Sequence, residues 1–147
     1  MKKKILLLSC GIAFALGNLE AQANIPAVVT NAFKAKFPDV QNVEWKAANN
    51  NFEADFTVNG LQETASFTSN GILLETDKKM SLDSVPAIVK DGLKRSIYAN
   101  WTIGEVTYID NSKTTFYKIY VVNNSTAEKK FLYFNSQGIL IMAKAVL

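Results

Sequence analysis

The sequence predicts an α+β fold: two tandem α-β-β-β-β repeats, forming an antiparallel sheet with both helices packed on one face. Three observations predict it. The stretch "IPAVVTNAFKAKFP" from Ile25 returns as "VPAIVKDGLKRSIY" from Val85. Short runs that alternate apolar and polar residues follow each copy, as half-buried strands require. Asn-Gly or Gln-Gly pairs then punctuate those runs where hairpins should turn.

Residues 1–23 read as a secretory signal peptide. Lys2, Lys3 and Lys4 open it, an apolar run extends from Ile5 to Leu16, and "AQA" ends at Ala23. That run is shorter than the roughly 20 residues of a spanning helix. Cleavage after Ala23 and a periplasmic or secreted mature chain are therefore expected. The competing expectation is a lipoprotein acylated at Cys10, with "LLSC" as its lipobox; the apolar run continuing past Cys10 argues against it. Loss of 1–23 lowers the basic residues from 16 to 13 and the acidic ones from 13 to 12, so net charge falls from +3 to +1. A nearly neutral chain gives no electrostatic case for nucleic acid or an anionic membrane. It also keeps no cysteine, so a packed core must supply the stability.

The mature chain divides into a first repeat at 24–80 and a second at 81–147, together one compact domain. Asn24 and Ser84 are expected as N-caps, with Pro26 and Pro86 in the first turns. Val29, Phe33 and Phe37 form one helical stripe; Val89, Leu93 and Ile97 form the other. Among the strands, "VQNVEW" answers to "IGEVTY", "FEADF" to "YKIYV", and "ASFTSNGIL" to "LYFNSQGIL". The first repeat turns at Asn59-Gly60, where the second has the longer "NNSTAE". One helix per four-stranded meander gives each sheet segment a cover for its apolar face.

Pro26, Ala32, Phe33, Phe37, Pro38, Val43, Trp45, Phe52, Ala54, Phe56, Phe67 and Gly71 make a pattern. It resembles the PepSY-like, beta-lactamase-inhibitor-like secreted proteins of Bacteroidetes, more closely in the first repeat. The second departs at Gly92, Leu93 and Tyr98, where the pattern has Ala, Phe and Pro. The resemblance implies a shape shared with a protein inhibitor of enzymes, carried by core and turn positions.

Histidine is absent, which removes the commonest general base and metal ligand. With Cys10 outside the mature chain no thiolate remains. No G-x-S-x-G motif and no phosphate-cradling glycine loop occurs. A carboxylate pair is the one catalytic option left: Glu53 and Asp55 sit two apart on a strand, and a solvated strand face explains them. The chain is expected to be no enzyme and to hold no cofactor and no metal.

The second repeat differs from the first on the uncovered face. In "FYKIYVV" Lys118 orients the strand, because an unpaired ammonium under a helix would be costly. Tyr117, Ile119 and Val121 then face the core. Lys118, Tyr120, Val122, Phe131 and Tyr133 face outward, Tyr120 and Val122 where the first repeat has Asp55 and Thr57, Phe131 and Tyr133 where it has Thr64 and Ser66. Aromatic side chains beside a lysine suit a protein-binding face. The expected function is an exported non-catalytic binding module for a protein or peptide, an inhibitor or regulator of an envelope or secreted enzyme. A homodimer seam, or cover by the C-terminal segment or the loop around Asn123, would explain the same residues. The alternative is a small-ligand or cation sensor using Glu53, Asp55 and Glu63.

Overall fold

The structure, a computed structural model, describes residues 24–146. The expected signal peptide, its cleavage point after Ala23 and Cys10 lie outside the described residues. The chain forms helix α1 (Ala27–Lys36), then strands β1 (Val43–Ala48), β2 (Asn51–Val58), β3 (Leu61–Thr68) and β4 (Leu73–Met80). A short 3-10 turn (Leu82–Ser84) leads to helix α2 (Ala87–Arg95). Strands β5 (Thr102–Asp110), β6 (Thr115–Val122), β7 (Lys129–Asn135) and β8 (Leu140–Ala145) complete it. All eight strands lie in one antiparallel sheet, ordered β1 to β8 as in the sequence.

The turns obey their local chemistry. Asn59 and Gly60 both take positive φ, 51° and 79°, which is the geometry of a two-residue hairpin with the twist of its strands. In the longer β6–β7 loop, the Asn123 side chain accepts from Ser125 N–H at 2.9 Å while its own N–H donates to the Glu128 carbonyl. The two halves of the sheet meet where β4 runs antiparallel to β5, from Thr76 opposite Asp110 to Met80 opposite Val106.

Both helices cover the same face. Beneath α1, Phe33 packs edge-on against Trp45, Phe56 and Phe67, with ring centroids 5.4, 5.1 and 6.3 Å away. Beneath α2, Val89 and Leu93 close over Ile119, Val121, Leu132 and Phe134. Cross-strand pairing makes this one continuous face, since Glu63 stands opposite Lys78, Lys78 opposite Tyr108, and Tyr108 opposite Tyr117. Burying each large apolar side chain here contributes about 1.5–3 kcal/mol.

Two helix expectations need correction. The residues at the N-cap are Pro26 and Pro86, not Asn24 and Ser84, and neither helix has a side-chain cap. Each proline has extended ψ, and its carbonyl accepts the first helical bonds, as Pro26 does from Val29 and Thr30. Ser84 instead closes the preceding turn with Ser81, their hydroxyls 2.9 Å apart. In the stripe of α2, Ile97 is 86% exposed. The helix stops at Arg95 because Ser96 terminates it: its hydroxyl donates to the Leu93 carbonyl at 2.7 Å and accepts from Tyr98 N–H at 3.1 Å. That bend sends Ile97 to solvent and swings Tyr98 into the core, edge-on to Trp101 at 5.0 Å.

The substitution of Gly92 for the alanine of the first helix also has a reason. A Cβ at Gly92 would collide with the Gly138 carbonyl, so the β7–β8 turn rests directly on the backbone of α2. Gly138 itself needs positive φ, 74°. Among the described residues, no helix is long and apolar enough to cross a membrane.

Candidate partner-binding face

The face opposite the helices is set by the same pairings, one residue out of phase. One cross-strand row runs Glu44, Asp55, Thr64, Asp77, Ile109, Phe116. The next runs Lys79, Thr107, Lys118, Tyr133, Met142. Among the described residues no helix packs on this side. Across β1 to β3 the face is polar, and from β5 to β8 it turns apolar.

Lys118, Tyr120, Val122, Phe131 and Tyr133 all stand on this open face, each half-buried by its neighbours. Tyr120 and Phe131 are a cross-strand pair, with centroids 5.5 Å apart. Lys118 Nζ lies 5.7 Å from the Phe131 ring centroid and 3.5 Å from Asp77 Oδ2, so it joins the aromatic patch to the acidic strand β4. Such a cation over a ring is worth about 0.5–1 kcal/mol at an exposed site. The Tyr120 ring lies over Gly104, where a Cβ would meet its Cδ1 at 2.7 Å. Glycine on β5 thus makes room for an aromatic ring on β6. Val122 sits at the margin, opposite Thr102 and Lys129.

Among the described residues, neither strand β8 nor the Asn123 loop lies over the patch. Strand β8 extends the sheet beside β7, and the loop closes the β6–β7 hairpin at its end. Strand β8 brings Ile141 and Met142, each about half exposed, to the patch. Ile109 and Phe116 also line it, around a depression of about 410 Å3 shared with Glu75, Tyr133, Ile141 and Met142. Sequence reasoning missed these residues. The signal available was the second apolar phase of β5 and β6, which puts Ile109 and Phe116 on the outer face with Tyr120.

Of the open-face carboxylates on β1 to β4, Asp55 and Asp77 hold cations. Asp55 accepts from Lys46 Nζ and from the Thr64 hydroxyl, both at 2.6 Å. Partial burial pushes the Asp55 carboxyl up, but those two hydrogen bonds outweigh it and hold the group below its ordinary value. Glu75 goes the other way, raised by burial first and by the neighbouring Asp77 second. Asp77 Oδ1 is buried without a hydrogen-bond partner.

The cation alternative does not fit this arrangement. Glu63 stands opposite Phe56 on the helix-covered face and pairs with Lys78 at 3.3 Å, whereas Glu53 and Asp55 point to the open face. The sheet separates the three carboxylates. Lys79 and Lys130 are likewise engaged. Lys79 pairs with Glu105 at 3.0 Å, and Lys130 pairs with Glu128 and lies over Tyr98 and Trp101 on the covered face.

Comparison with known proteins gives a consistent answer. A family model described as "Putative beta-lactamase-inhibitor-like, PepSY-like" matches residues 50–142. That stretch takes in β2 to β7 and the start of β8 and leaves out α1 and β1, although the sequence pattern is densest there. Three solved structures from Bacteroides share the fold. A DUF2874 family protein of Bacteroides ovatus is 28% identical with a TM-score of 0.79, over 82% of this chain and 87% of that one. A BLIP-like protein of Bacteroides fragilis is 24% identical with a TM-score of 0.75, over 82% and 86%. A Bacteroides eggerthii structure described as "putative periplasmic proteins" is 22% identical with a TM-score of 0.78, over 82% and 88%. No curated protein matches the chain significantly.

Proposed function

We propose, from the premise that the chain belongs to the beta-lactamase-inhibitor-like, PepSY-like family, that it is a non-catalytic module that binds a protein partner outside the cytoplasm. The open face of β5 to β8 is its binding surface. The observation that carries this reading is the position of Tyr120, Phe131 and Tyr133. They form an aromatic patch on a sheet face that, among the described residues, bears no helix, while both helices cover the opposite face.

Folding explains the covered face and leaves the open one in need of another reason. Exposed apolar patches of a few hundred Å2 on a monomer usually mark an interaction site. Tyrosine, phenylalanine and methionine are enriched in such sites: the aromatic rings bury large areas at low entropic cost, and methionine adapts its shape to the partner. Lys118 adds a charge held in place by Asp77, which gives orientation more than affinity. The expected leader at 1–23 and the periplasmic description of a structural neighbour support work outside the cytoplasm. Restraint of an envelope or secreted enzyme is the role that the family description favours.

The test is capture from the native envelope fraction with tagged residues 24–147 as bait. Tyr120→Ser with Tyr133→Ser should abolish capture while unfolding stays cooperative in urea. Retained capture by that folded double variant would refute the assignment of the face.

A further inference from the structure

The apolar depression on the open face has a charged wall, and that wall points to a particular partner chemistry. Ile109, Phe116, Tyr133, Ile141 and Met142 line it on the side of β5 to β8, and Glu75 of β4 completes it. Its volume of about 410 Å3 exceeds that of one large side chain, so it accommodates an aromatic or branched aliphatic group with room at the rim. Glu75 shares its cross-strand row with Ser66 and Glu53, and Asp77 follows two residues on along the same face. Among the described residues, the only cation within 4 Å of any of these three carboxylates is Lys118, 3.5 Å from Asp77, and Lys46 stands opposite Glu53. Lys46 is engaged by Asp55 and Lys79 by Glu105. Negative charge at the rim is therefore in excess, and Asp77 Oδ1 is a buried acceptor with no donor. The Asp77 side chain as a whole keeps about a quarter of its surface exposed, so its carboxylate remains within reach of a donor brought by a partner.

Building on the proposed binding face, we infer that the partner presents a large apolar side chain next to an arginine. The apolar group fills the depression while the guanidinium bridges Glu75 and Asp77. Arginine suits this rim better than lysine does. Its planar fork offers five donors in fixed directions and can engage two carboxylates at once. An acidic neighbour in the partner would meet like charges at the same place and be rejected.

The experiment is a methyl-resolved NMR titration of residues 24–147 with three short peptides: acetyl-Gly-Phe-Arg-Gly-amide, its Phe-Glu counterpart and its Ser-Arg counterpart. The Phe-Arg peptide should shift the Met142, Ile109 and Ile141 methyls and bind at least about tenfold more tightly than either control. In Glu75→Gln with Asp77→Asn, its advantage over the Phe-Glu peptide should shrink to about twofold, while the same methyls still respond. Equal binding of the Phe-Arg and Phe-Glu peptides, an unchanged preference in the variant, or no methyl response to any peptide would each overturn the inference. Capture that is lost on replacing Tyr120 and Tyr133 but indifferent to replacing Glu75 and Asp77 would keep the binding face and remove the arginine preference.

Discussion

Gly92 shows how much a single missing methyl group decides. Its neighbour across the gap is the backbone of Gly138, which cannot rotate away as a side chain could. Gly92→Ala should therefore destabilise the fold by about 3 kcal/mol, measured as a lower urea midpoint. Gly60→Ala, which meets nothing within 4 Å but keeps φ at 79°, should cost only about 1–2 kcal/mol. The two carboxylates of the open face make opposite predictions about pH. Asp55 is held below its ordinary value, so the stability it contributes is present at neutral pH and lost as pH falls through its folded-state pKa. Glu75 is raised, chiefly by burial and then by Asp77, so the fold gains stability as pH falls and the group takes up its proton. Glu75→Gln should accordingly raise the urea midpoint at pH 7 and change it little at pH 3. Asp55→Asn should lower the midpoint at pH 7 only. Reversal of either sign would contradict the environments described for them.

At the scale of elements, much was legible in the sequence because period and turn chemistry are local. The Asn-Gly turn, the outward phase of Tyr120 and Tyr133, and the inward phase of Ile119 and Val121 all follow from alternation and one lysine. The end of α2 was not legible. Ile97 continues the helical stripe in sequence, but the Ser96 hydroxyl captures the Leu93 carbonyl and ends the helix first. Nor was the part played by β8, because Ile141 and Met142 lie past a register shift beside Tyr133 and Phe134 that alternation does not reveal. Glu63 was misplaced for a related reason, since a carboxylate on a covered face is unexpected until Lys78 stands beside it. The junction of β4 with β5 carries its own prediction. It joins two helix-and-four-strand units into one sheet, and each unit has one tryptophan, Trp45 or Trp101. Trp45→Phe and Trp101→Phe leave one reporter apiece. In each variant, the remaining tryptophan's fluorescence and far-UV circular dichroism should give the same urea midpoint, because the units unfold together. Midpoints that differ between the two probes would mean that the units unfold separately.

For the molecule as a whole, one sheet has been given two unlike faces. The helix-covered face is mostly aliphatic and aromatic, with the Glu63–Lys78 ion pair between its two cores, and accounts for stability. The other changes from paired charges at β1 to β3 into an aromatic surface at β5 to β8, with Lys118 and Asp77 at the border. Nothing in the packing of the covered face demands that change, since Asp55 and Thr64 satisfy the same strand geometry in the first half that Tyr120 and Phe131 satisfy in the second. The most direct test is site-specific photocrosslinking in native envelope extract. Tyr133→p-benzoylphenylalanine, on the open face, should give a discrete adduct with a partner, and Lys34→p-benzoylphenylalanine, on the solvent side of α1, should give none. An adduct from position 34 with none from position 133 would place the binding surface on the helices and contradict the account.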